Sequence, residues 1–147
     1  MIEVTRSRFV DASPASVFAT LADPANLAGI IPRVRRVELL EQHPDHARVA
    51  THMALGPFGA IRNEGEVRWQ TDRAIVFSSR RPVPVEARWS LAPRGAGTDL
   101  QVQLLLDLAA LIGPLAAFVP AGEVAKLVGP DLEAALAAVA ERTESRS

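Results

Sequence analysis

Thr51, Asn63, Ser79 and Arg81 are the polar members of a set of strand positions that otherwise carries Val, Ile, Leu, Met, Phe and Trp. Buried polar groups need partners. A few such residues amid apolar walls orient the carbonyl or hydroxyl of a guest molecule; alternatively, Asn63 and Thr51 pair with each other or with water, or the register places them near the rim. Arg81 precedes Pro82 and belongs at a strand end, where it meets an anionic ligand group or solvent. Other constellations are weaker. His43, Asp45 and His46 fall in a hairpin turn without a third strong ligand nearby, so no metal site is expected. The Arg33, Arg35, Arg36 cluster reads as a solvated strand edge. No glycine pattern matches a phosphate-binding or dinucleotide loop, and no serine sits in a nucleophile elbow. Cysteine and tyrosine are absent. No Asp, Glu or His falls securely among the inward positions. The chemistry is therefore that of a binding site, with no catalytic residue and no cofactor expected.

These side chains depend on strands to position them. Ile2–Val10 reads as a first strand. Ser13-Pro14 and Asp23-Pro24 then each supply an N-cap followed by proline at the first helical position. Val17, Phe18 and Leu21 stripe one short helix, and Leu27, Ile30 and Ile31 a second. Period-two segments follow near 34–42, 46–55, 60–70, 74–81, 84–92 and 98–107, separated by short turns that favour sequential antiparallel pairing.

Alternation puts Val49, Thr51, Met53 and Leu55 on one face, with Ile61, Asn63, Gly65, Val67 and Trp69 beside them. Val85, Ala87, Trp89 and Leu91 form a similar set, as do Leu100, Val102, Leu104 and Leu106. Ile75, Phe77 and Ser79 join them unless a one-residue slip substitutes Val76 and Ser78. The opposite face carries Arg48, His52, Arg62, Glu64, Glu66, Arg68, Glu86, Arg88, Gln101 and Gln103. From Pro120 to about Thr143, Val124, Leu127, Val128, Leu132, Ala135, Leu136 and Val139 recur at helical spacing. This helix is long enough, at roughly 35 Å, to cross the sheet, and Gly129-Pro130 is expected to kink it.

The 147 residues suit a single domain, 1–147. A net charge of −1 gives no electrostatic case for nucleic acid. The strand-like start lacks a signal-peptide pattern, which favours the cytoplasm. The uncharged run Leu108–Gly122 is too short to span a bilayer, and its part Leu108–Pro120 connects the last strand to the helix. It is a mobile lid, a transient membrane contact, or an ordinary turn over the sheet's open end. Oligomeric state is not legible.

Four stretches carry a family resemblance: Val10 to Phe18, Leu21 to Pro24, Trp89 to Pro93 continuing through Gly97-Thr98, and the terminal helix. With this order of elements, the chain resembles the START-like superfamily, in the broad SRPBCC group that includes polyketide cyclases and the major birch-pollen allergen. The resemblance implies an α+β helix-grip fold. In it a seven-stranded curved antiparallel sheet wraps a long C-terminal helix, with two short helices after strand 1.

The resemblance also implies an internal cavity between sheet and C-terminal helix, with Ala134, Ala135, Ala137, Ala138 and Ala140 leaving space there. Alternatively, Trp69, Trp89 and Phe77 fill that gap. The residues expected at a ligand are Thr51, Met53, Asn63, Val67, Trp69, Phe77, Ser79, Arg81, Ala87, Trp89, Val102, Leu132 and Leu136. The expected partner is a small hydrophobic or amphipathic molecule: a lipid, isoprenoid, quinone or polyketide-like compound. A cyclase or dehydratase acting on a polyketide-like substrate is the first alternative. A protein-interaction factor with a collapsed cavity, using Leu111, Ile112, Leu115 and Phe118, is the second.

Overall fold

A computed structural model describes residues 2–54, 59–81, 84–107 and 121–144. The elements run β1 (Ile2–Val10), α1 (Pro14–Ala22), α2 (Pro24–Ile30), β2 (Val34–Gln42), β3 (His46–Ala54), β4 (Ala60–Gln70), β5 (Ala74–Arg81), β6 (Val85–Arg94), β7 (Gly97–Leu106) and α3 (Ala121–Glu144). The last two strands end and begin slightly apart from the expected bounds. Pro93 and Arg94 stay paired, opposite Thr98 and Gly97, so the turn narrows to Gly95-Ala96. Gly95 adopts φ 59°, a left-handed conformation that glycine enters without steric penalty.

Both helix starts follow the cap chemistry. The Ser13 hydroxyl accepts from the Ser16 amide at 3.2 Å, and the Asp23 carboxylate accepts from the Ala25 amide at 3.0 Å. Pro14 and Pro24 occupy the first helical turn, where a missing N–H forfeits no bond. Asp23 both terminates α1 and opens α2, which sets a sharp corner between them.

The strands form one antiparallel curved sheet in the order β1-β7-β6-β5-β4-β3-β2. The meander from β2 to β7 is sequential, and β1 closes on β7 with Ile2 opposite Leu106 and Val10 opposite Thr98. Residues directly opposite share a face. Trp69, Ile75, Trp89 and Val102 therefore form one inward rung, and Ala47, Val67, Phe77, Ala87 and Leu104 the next. The slipped alternative for β5 is thus excluded. The outward face carries cross-strand and same-strand ion pairs, among them Arg62–Glu64 at 2.9 Å and Arg88–Glu86 at 3.2 Å.

α3 runs unbroken through Pro130 and packs chiefly on β1, with α1 and α2 against its flank. Val124, Leu132, Ala135, Leu136, Val139 and Ala140 are buried along its inner stripe. Polar ties fix its pose. Arg33 Nε donates to Asp131 Oδ2 at 2.6 Å, and Glu144 Oε2 accepts from the Asp11 amide at 2.8 Å. The Arg142 guanidinium lies against Gly29 and reaches Asn26 Oδ1 at 3.4 Å, while the Arg6 guanidinium lies on Gly129. Side chains at both glycines would displace those arginines.

Candidate functional site

The floor of the site is the concave face of β3 to β7. Ala47, Val49, Thr51 and Met53 come from β3, Val67 and Trp69 from β4, and Ile75 and Phe77 from β5. Val85, Ala87, Trp89 and Leu104 complete it from β6 and β7. The roof is Phe18, Leu21 and Ala22 of α1, Pro24 and Leu27 of α2, and Ile31 just after it. Val34, Val37, Leu39 and Gln42 of the edge strand β2 form a side wall. These surfaces enclose a cavity of about 350 Å³, at the lower end of the roughly 300–1,000 Å³ of small-molecule sites.

The hollow is visible in the solvent access of its walls. Val67, Phe77, Ala87 and Leu104 are only partly buried although they lie on the covered face. Leu100 and Val102, nearer β1, are sealed at 0% and 1% exposure. Leu39 lines the cavity and is 48% exposed, so the mouth opens beside β2.

Electrostatically the cavity is quiet. Gln42 and Thr51 are the polar residues among its described lining, which contains no ionisable group. Carboxylates with displaced titration lie elsewhere. The hydrogen bond from His52 Nε2, at 2.6 Å, followed by Arg36, holds the outward-facing Glu38 carboxyl below its usual range. The hydrogen bond from His46 does the same for Asp45 in the β2–β3 turn. There the rings of His43 and His46 stack with centroids 4.5 Å apart.

Seven expected ligand residues meet around this space: Thr51, Met53, Val67, Trp69, Phe77, Ala87 and Trp89. Asn63 and Ser79 face the same way but do not line it. Ser79 Oγ lies 2.9 Å from Asn63 Oδ1 and 2.8 Å from the Glu64 carbonyl, and Thr51 Oγ1 donates to the Asn63 carbonyl at 3.2 Å. Thr51 and Asn63 thus bond to each other, the alternative foreseen for those two, and Ser79 bonds to Asn63 beside them.

Val102, Leu132 and Leu136 are buried in the core and are not among the described lining of the cavity. The expected hollow between sheet and terminal helix is thus corrected: among the described residues, it lies between the sheet and the α1–α2 pair. The physical reason is close approach. Ala135 and Ala140, at 2% and 1% exposure, let α3 seat tightly on the β1 side instead of holding space open. Arg81 ends β5, and its side chain lies outside the described part of the structure, as do Leu55 and the segment 108–120.

Sequence reasoning missed the roof and the β2 wall as site residues. The apolar stripes of α1 and α2 were visible in the sequence, but not the surface they face.

An antiparallel sheet curved around a long helix, with a hollow under two short helices, defines the helix-grip class. The family model described as "Polyketide cyclase / dehydrase and lipid transport" matches residues 1–144, and the chain belongs to that family. No curated protein matches the chain. A START superfamily protein from Mycobacterium smegmatis is 21% identical with a TM-score of 0.77, each chain covered completely. The Zhui aromatase/cyclase from Streptomyces sp. R1128 is 22% identical with a TM-score of 0.76, covering 98% of this chain and 94% of its own. A STAR-related lipid transfer protein from Xanthomonas axonopodis is 15% identical with a TM-score of 0.74, over 97% of this chain and 85% of its own. At these identities the likeness is one of fold. No helix among the described residues is long and apolar enough to cross a membrane.

Proposed function

We propose that the protein binds a small apolar or amphipathic molecule, of the lipid, isoprenoid, quinone or polyketide-like kind, in the cavity beneath α1 and α2. The observation that carries this reading is the lining: aliphatic and aromatic side chains around about 350 Å³, with Gln42 and Thr51 as the polar contacts among the described residues. Burial supplies the affinity. At roughly 25 cal/mol per Å², about 250–300 Å² of apolar guest surface corresponds to about 6–7.5 kcal/mol and a dissociation constant on the order of 3–30 micromolar. Lipid transport in the family description agrees with a carrier or receptor of such a guest.

The chain's two tryptophans, Trp69 and Trp89, both line the cavity and so report on occupancy. Titration with a medium-chain hydrocarbon or alcohol is expected to shift and partly quench their emission saturably. Native mass spectrometry of freshly purified protein is expected to show a bound small molecule. A bare mass together with flat titrations across lipids, quinones and aromatic polyketide mimics overturns the reading.

Cyclisation or dehydration of a polyketide-like substrate is the second reading, and the other half of the family description favours it. Such chemistry needs a proton donor or acceptor within hydrogen-bond reach of the substrate. The described lining offers only the Thr51 hydroxyl and the Gln42 amide for that task. Turnover of a cyclisable poly-β-ketone that is lost on Thr51→Val replaces binding by catalysis as the conclusion.

A further inference from the structure

We propose that the guest is a single-tailed amphiphile with an uncharged head, held by Gln42 at the cavity mouth with its tail lying across the sheet. This rests on the binding reading above. The exposed members of the described lining are Ala22, Leu39 and Gln42, so they mark the mouth, and Gln42 is the polar one. A β-bulge gives Gln42 its inward position. Leu39 stands opposite Val49 and Gln42 opposite Ala47, both cavity residues. Strict alternation from Leu39 would instead turn Glu41 inward and Gln42 outward. The register shift between Leu39 and Glu41 takes in Leu40 as an extra residue and reverses the two side chains. Glu41 goes to the outer face, opposite Arg48, with its carboxylate 3.9 Å from that guanidinium and 3.8 Å from His43 Nε2. The mouth thereby receives a carboxamide in place of a carboxylate.

A carboxamide both donates and accepts, so it serves a hydroxyl, carbonyl or amide head, and it carries no charge to attract an ion. Beyond it the wall is hydrocarbon. Gln42 begins the inward rung that continues through Ala47, Val67, Phe77, Ala87 and Leu104, and each of these lines the cavity. A tail along that rung meets only apolar side chains, whereas a polar head placed there would be buried against them. The head therefore stays at β2. An ionic head would lose hydration against Leu39 and Ala22 without an opposite charge in the described lining to offset the loss. A cavity of about 350 Å³, small among ligand sites, suits one tail rather than two.

Decylammonium, decanoate and 1-decanol share a tail and differ in the head. Each is titrated by tryptophan emission into the wild type, Gln42→Glu, Gln42→Lys and Glu41→Gln, in 0.15 M salt, which screens charges more than about 8 Å away. The wild type is expected to favour the alcohol over both ions. The decylammonium-to-decanoate affinity ratio is expected to rise about fivefold in Gln42→Glu and to fall about fivefold in Gln42→Lys, the strength of one charge pair about 4 Å apart in water. Glu41→Gln, which changes the charge of the outer face, is expected to move the ratio by less than about twofold. A ratio unchanged in both Gln42 variants while the wild type binds overturns the placement of the head and leaves the binding reading standing. A ratio that responds more to Glu41→Gln than to Gln42→Glu does the same. A wild type that prefers either ion to the alcohol overturns the uncharged head. No saturable response to any of the three probes in any of the proteins removes the binding reading and this proposal with it.

Discussion

Gly65 shows how much of the site depends on an atom that is absent. A Cβ on it would press on the Phe77 ring and, at 2.6 Å, on the Ser78 carbonyl oxygen. The ring can move aside; the backbone oxygen of a paired strand cannot do so cheaply. Gly65→Ala is therefore expected to lose about 1–3 kcal/mol of stability, as overpacked cores do, read as a lower urea midpoint with an unchanged slope. The sequence marked Gly65 as inward-facing from its alternation with Asn63 and Val67. That a ring from the next strand lies over it was not legible, since the pattern fixes which face a residue takes but not the direction in which its neighbours lean. Asn63 and Ser79 follow the same rule: their inward placement was readable, and their partners were a matter of three-dimensional register.

The α1–α2 corner matters at the scale of elements because one side chain, Asp23, holds it. Its carboxylate caps α2 through the Ala25 amide, and its backbone ends α1. Asp23→Ala is expected to cost about 1 kcal/mol of stability. The same variant should speed amide exchange over Ala25 to Ile30 and weaken guest binding, because Pro24 and Leu27 roof the cavity. Exchange mass spectrometry and the tryptophan titration check both effects. The helices themselves were plain in the sequence, since Ser-Pro and Asp-Pro are local chemistry. Their role as a roof was not, because the surface a seven-residue helix faces is chosen by tertiary packing. The long helix carried the opposite lesson. Its alanines suggested vacant space beneath it, whereas small side chains at Ala135 and Ala140 let it settle against the core.

Across the whole molecule, the outward face of the sheet is a lattice of exposed Arg–Glu and His–Glu pairs, each of which contributes little alone. Glu38 is the member with a clear pH signature. His52 and then Arg36 favour its ionised form, so its folded pKa lies below the ordinary 4.5. That stabilisation is present above the unfolded value and is lost as pH falls through the folded one. Glu38→Gln is expected to flatten the acid limb of the stability curve from about pH 4.5 downward, with little change in its shape above pH 6; thermal melts across pH check this.

The same sheet has a temporal side. Its two ends differ in sequence reach: β2 to β7 join neighbour to neighbour, but Ile2 must meet Leu106, and α3 then lies chiefly on β1. Joining segments so far apart carries the largest loop-closure entropy in the chain. During synthesis, the first strand therefore waits with no edge to pair against until β7 has left the ribosome. The hydrophobic interior is completed only when the two ends of the chain assemble together.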